Sequence, residues 1–164
     1  MAWTNPATRA SNYKVTASNW NELVNNSLFL AEIGYQEFTS TVSSTATTVG
    51  TAVQIVSLGA ITYTNNPIML EFFTERVNSG ATTAYGILRD GTTVLGTWLE
   101  MPPTTQQSVY IVRRLTPTAA SHSYNVACWN VGAATTSFNA GTGGAAGDTT
   151  TRLPGFIRAT NLPT

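Results

Sequence analysis

The chain is nearly without lysine, histidine and cysteine, and each shortage closes off a class of function. Lys14 is the sole lysine; the 164 residues hold 8 Lys+Arg against 8 Asp+Glu, and charged residues make up only 10%. A typical soluble domain carries about 25%. A neutral chain so poor in cations has no basic stripe with which to neutralise phosphates, so neither nucleic-acid binding by counterion release nor docking on anionic lipid is expected. His122 is the only histidine and Cys128 the only cysteine. One of each supplies neither a metal-ligand cluster nor an intrachain disulfide. No catalytic residue, cofactor or metal is therefore expected, and Cys128 reads as a buried strand thiol. No apolar run reaches the about 18 residues of a membrane-spanning helix, so no membrane insertion is expected. The opening MAWTNPATRASNYK lacks the charged-then-apolar order of a secretory signal.

What the chain has instead is Thr, Ser, Asn and aromatics, in an amount that fits one domain. Residues 1–15 hold Pro6 and the isolated aromatics Trp3 and Tyr13, and read as an extended arm that needs a surface to lie on. A short helix is expected next: Thr16 or Ser18 is the cap, Trp20, Leu23, Val24, Ser27, Leu28 and Ala31 recur at helical spacing, and Gly34 is the stop. Its Asn-rich polar side is a weak helix former, so the helix needs packing on its Trp20/Leu23 face. The sequon Asn25-Asn26-Ser27 falls in this helix and is a poor prospect for glycosylation without a secretory signal.

From residue 36 onward the texture is that of an all-β domain: β-branched and aromatic runs broken by Gly, Pro, Asn and Asp. Strands are expected at 37–43, 52–58, 68–77, 83–89, 93–101, 109–115, 124–131 and 155–160. Asn65-Asn66-Pro67 reads as a turn and Asp90-Gly91 as a tight hairpin, while Pro102-Pro103 and Thr116-Pro117 end the strands before them. The domain division is thus 1–34, arm and helix, and 35–164, the β-sandwich.

The runs IMLEFF from Ile68 and VYIV from Val109 are apolar on both faces, whereas a sheet with one face in water alternates. Their second face needs cover, and a symmetry-related subunit fits that need better than the helix does. Phe73, Tyr110 and Val112 are the candidate buried face of an oligomer. Adjacent Arg113 and Arg114 point to opposite faces, so one of them enters an interface or packing layer and needs an acid there, with Glu71 and Glu100 the candidates. Glu71 and Glu75, about 13 Å apart along a strand, exceed the about 5–9.5 Å of a glycosidase pair, and they read as surface charges or salt-bridge partners. Trp98, Trp129, Tyr85 and Tyr110 read as core or interface before they read as sugar platforms. Gly141-Thr142-Gly143-Gly144-Ala145-Ala146 fits a dinucleotide fingerprint by letter, yet too little chain follows for a βαβ unit, so it reads as a surface loop.

Two pieces resemble a known group. The segment from Thr16 to Asn26, TASNWNELVNN, preceded by the arm, resembles the start of many tailed-bacteriophage virion proteins. The body, with IMLEFFTERV, AYGILRDGTTVLG, SVYIVRRL, SYNVACWNV and PGFIRATNL, is similar to the jelly-roll sandwich of phage head-decoration and fibre proteins, and in layout to tumour-necrosis-factor-type trimers. The resemblance implies an all-β antiparallel jelly-roll sandwich preceded by an extended arm and one short α-helix. It further implies a non-enzymatic virion component, assembled in the host bacterial cytoplasm and most simply a homotrimer.

Under this expectation Trp3, Tyr13, Trp20, Leu23 and Leu28 attach to the major capsid protein or another virion protein. Phe73, Tyr110, Val112, Arg113 and Arg114 form the oligomer interface. The resulting reading is a capsid-decoration or head-fibre protein that stabilises the shell. The alternative is a tail-fibre tip whose loops at 116–123 and 133–151 recognise a host-surface glycan.

Overall fold

The computed structural model describes residues 32–142 and 149–162. The expected arm and helix, with Trp3, Tyr13, Trp20, Leu23 and Leu28, and the sequon lie outside these residues. The described chain is all-β, with β1 (Glu32–Phe38), β2 (Val42–Ser44), a 3-10 turn (Val49–Thr51), β3 (Val53–Ser57), β4 (Ile61–Thr62), β5 (Ile68–Asn78) and β6 (Ala84–Asp90). It continues through β7 (Thr93–Met101), β8 (Gln106–Leu115), β9 (Ser121–His122), β10 (Tyr124–Asn130), β11 (Thr136–Asn139), β12 (Gly141–Thr142), β13 (Thr151–Arg152) and β14 (Gly155–Asn161).

The pairings nest like a folded hairpin: β6 with β7 innermost, then β5 with β8, β3 with β10, and β1 with β14 outermost, all antiparallel. Wrapped into two layers, this nesting is a jelly-roll sandwich. One sheet runs β1-β14-β5-β11-β2, with β8 on the other edge of β5; the second runs β3-β10-β6-β7. Long β5 carries this arrangement, because β14 pairs with its residues 68–73 and β11 with 76–78 along one edge while β8 takes the other.

The core fills the space between the layers. Ile68, Leu70, Phe72 and Val77 of β5, with Ile157 and Ala159 of β14, meet Val126 and Cys128 of β10, Leu88 of β6 and Trp98 of β7. Phe72 is the hub, its ring centroid 6.2 Å from those of Trp98 and Phe138 and 6.4 Å from that of Phe38. Cys128 is fully buried, and burial pushes its thiol pKa up to about 12.

The explicit turns form as their chemistry requires. Gly91 begins the two-residue turn between Asp90 and Thr93 at φ 57°, a conformation glycine adopts without steric cost. Asn65 takes φ 59° ahead of Pro67, and β7 stops at Met101, directly before Pro102, while β8 stops at Leu115, two residues before Pro117.

Three expectations need correction. Gly34 does not stop a helix: it lies inside β1, where a Cβ would fall 2.4 Å from Ile61 Cδ1, so its lack of a side chain serves close packing. The expected strand 37–43 divides into β1 and β2, because the chain turns at residues 39–41 beside Ala140, whose carbonyl accepts from Thr41 Oγ1. Finally, β11 occupies a stretch read as loop, and all four of its residues are buried.

Candidate interaction face

Strand alternation and register set out the outer face of the larger sheet in three cross-strand rows. Glu37, Phe156, Phe73 and Tyr110 lie side by side across β1, β14, β5 and β8. The next row is Tyr35, Arg158, Glu71 and Val112, and the third is Glu32, Thr160, Met69 and Arg114. The aromatics form a chain, with centroids 5.5 Å apart for Tyr35 and Phe156 and 5.7 Å apart for Phe73 and Phe156.

At the centre of this face stands Glu71, only 3% exposed. A buried carboxylate survives as an anion only when its lone pairs are met by donors. Here Arg158 Nε donates to Oε2 at 2.8 Å and the Tyr110 hydroxyl donates to Oε1. The Arg158 hydrogen bond, acting against burial and helped by Tyr110, holds the Glu71 pKa below the ordinary carboxylate value. The same bonds raise the Tyr110 and Arg158 pKa values. Arg158 also lies 5.7 Å from the Phe156 ring centroid, within cation–π range. Tyr35, whose hydroxyl donates to Glu37 Oε1 at 2.5 Å, has its pKa pushed up to about 12 by that bond first and by burial second.

The residues expected at an oligomer interface divide between two faces. Phe73 and Tyr110 are direct register partners, with Val112 and Arg114 beside them, and Tyr110 is 59% exposed. Arg113 stands opposite core residue Leu70 and so points to the other side of the sheet. Neither arginine has an acidic partner among the described residues: Glu71 is taken by Arg158 and Tyr110, and Arg113 donates to the Val112 carbonyl at 3.0 Å. The acid for Arg158 was the pairing that spacing missed, since only the β5–β14 register sets Arg158 opposite Glu71. Glu75 is placed apart, accepting from the Leu153 amide at 2.8 Å and lying 3.7 Å from Arg152.

His122 occupies a more ordered setting than its turn-like sequence suggests. Its Nδ1 lies 2.6 Å from Asp90 Oδ2, and its Nε2 lies 3.1 Å from Thr118 Oγ1 and 3.2 Å from the Thr118 carbonyl. The series hydroxyl, imidazole, carboxylate has the order of a nucleophilic triad. The carbonyl decides the chemistry: an acceptor beside Nε2 calls for a proton there, and Asp90 calls for one on Nδ1. An imidazolium donating from both nitrogens cannot take a proton from Thr118. Accordingly the His122 pKa is raised, by the Asp90 hydrogen bond first, against desolvation and with help from the Thr118 carbonyl. Burial alone would raise the Asp90 pKa, but His122 and the Ser123 amide outweigh it and the net shift is downward. The group ties the 116–123 loop to the β6–β7 hairpin.

Among the described residues no three His, Cys, Asp or Glu side chains gather to hold a metal ion. No family model matches the chain, and no curated protein matches it.

Proposed function

We propose that the chain is a non-enzymatic virion structural protein of tailed bacteriophage, a homotrimer that decorates the capsid and stabilises the shell. The observation that carries this reading is the outer face of the larger sheet, where Tyr35, Phe156, Phe73 and Tyr110 surround the Glu71–Arg158 pair. Aromatic and Arg-rich patches with a desolvated centre mark protein–protein contacts. A face repeated about a threefold axis would bury these rings against their own copies, and a closed ring leaves no open end. Trimerisation also multiplies weak anchors by effective concentration, which suits an N-terminal segment that carries Trp3, Tyr13, Trp20, Leu23 and Leu28 to the shell. Binding the assembled shell in preference to its separated subunits would stabilise it by mass action.

Sedimentation equilibrium tests the assembly. The expected mass is three times the 17.5 kDa chain, falling to the monomer in Tyr110→Glu, which sets a second carboxylate beside Glu71. A monomeric wild type, or a trimer unaffected by that substitution, overturns the proposed face. Cryo-electron microscopy of the particle tests the location: density on the icosahedral shell is expected, and density confined to the tail tip would replace decoration with glycan recognition.

A further inference from the structure

The larger sheet carries opposite charge on two of its edge strands. Strands β1, β14, β5 and β8 lie side by side, and among the described residues β1 pairs only with β14 and β8 only with β5. Strand β1, EIGYQEF, holds Glu32 and Glu37 and no cation; β8, QQSVYIVRRL, holds Arg113 and Arg114 and no acid, and all four are exposed. Glu32 and Arg114 have no ion-pair partner among the described residues.

An unpaired strand edge is a template for a further strand, and the geometry of this sheet selects which strand fits. Each of the four strands is antiparallel to its neighbour, so β1 runs opposite to β8. A copy rotated about an axis along the strands therefore brings its β1 antiparallel to β8. Arg114 and Glu32 stand at the two ends of one cross-strand row, and Tyr110 and Glu37 at the ends of another. That rotation keeps the rows level, setting Arg114 beside Glu32 of the second copy and Tyr110 beside its Glu37. The bulge between Glu32 and Gly34 takes up the one extra residue that β1 has over this span. Opposite charges across a strand pair attract and like charges repel, so a twofold pairing of β8 with β8, or of β1 with β1, is disfavoured.

We propose that copies of this chain join edge to edge, β8 of one adding antiparallel to β1 of the next, with Arg114 against Glu32. A ring closed in this way turns the same sheet face of every copy toward its axis, which would bring the Glu71 faces together. Closure at three copies rests on the homotrimer reading above; the strand pairing does not.

Sedimentation equilibrium of the full chain tests the charge match. Arg114→Glu and Glu32→Arg should each weaken self-association about tenfold per interface, and the double exchange should recover it. Cross-linking tests the order of the strands: Glu32→Cys and Arg114→Cys chains, mixed and mildly oxidised, should yield a disulfide-linked dimer that neither forms alone, buried Cys128 taking no part. An associating wild type whose double exchange does not recover, or a single-cysteine chain that links to itself, overturns the edge pairing and leaves the homotrimer standing. The mixed dimer formed within a species of other than three chains supports the pairing and overturns the homotrimer. A monomeric wild type overturns both.

Discussion

Glycine 155 shows how one atom constrains the sandwich. A Cβ there would fall 2.1 Å from Phe38 Cζ and 2.9 Å from the Phe73 carbonyl oxygen. Phe38 cannot yield readily, being packed on Phe72 in the core. Gly155→Ala is therefore expected to cost about 3 kcal/mol by overpacking, read as a lower urea midpoint with an unchanged slope. His122 gives a titratable counterpart. Its folded pKa is raised, so its contribution is complete below the unfolded value near 6.5 and is lost as pH rises through the folded pKa. That of Asp90 is depressed, so its contribution holds above the ordinary carboxylate range and fades as pH falls through the folded pKa. The native protein should thus lose about 1 kcal/mol on passing from pH 6 to pH 9. His122→Gln should flatten that stretch of the stability profile; a slope unchanged in the variant would show that other groups produce it.

At the scale of the element, β11 explains what the amino-acid sequence conceals. Long β5, the Asp90-Gly91 hairpin and the proline stops were legible because hydrophobic runs and turn chemistry are local signals. Thr136 to Asn139 sends three polar side chains of four into a buried setting, and polar composition reads as loop unless the hydrogen-bond partners are known. Those partners lie outside β11, one six residues back in β10 and two more than ninety residues away: Thr136 donates to Asn130 Oδ1 at 2.6 Å, Ser137 meets Ser43 at 2.8 Å, and Asn139 Nδ2 donates to Thr41 at 3.4 Å. Fully buried Asn130 then donates to the Ser44 carbonyl at 3.0 Å and Ser44 to the Cys128 carbonyl at 2.7 Å. The same non-local logic hid Arg158 from Glu71 and His122 from Asp90. Phe73 and Tyr110, by contrast, were legible as a shared face because both lie in two-faced apolar runs. Asn130→Ala would strip this layer of both a donor and an acceptor, leaving buried groups unpaired at a cost of about 2–3 kcal/mol. Calorimetry should show the loss, with Asn130→Asp worse because it also buries a charge.

For the whole molecule, the larger sheet turns one face to the core and the other outward. Phe72 and Phe73 are neighbours in β5, yet alternation sends the first among Phe38, Trp98 and Phe138 and the second to the outer face with Phe156. Removing the Phe72 ring leaves a cavity that the two layers cannot close, so Phe72→Ala should cost about 3–5 kcal/mol of unfolding free energy. Phe73 is half-buried and on the face proposed to meet other subunits. Phe73→Asn should therefore change unfolding of the separated chain by no more than about 1–2 kcal/mol, the worth of a partly exposed aromatic contact, while moving the sedimentation boundary to that of a smaller species. The two measurements taken together discriminate. If both substitutions lowered stability equally at fixed mass, the outer aromatics would be ordinary packing of one chain. If Phe73→Asn altered mass alone, the sheet would serve as core on one side and subunit contact on the other, which is why its central strand is apolar on both faces.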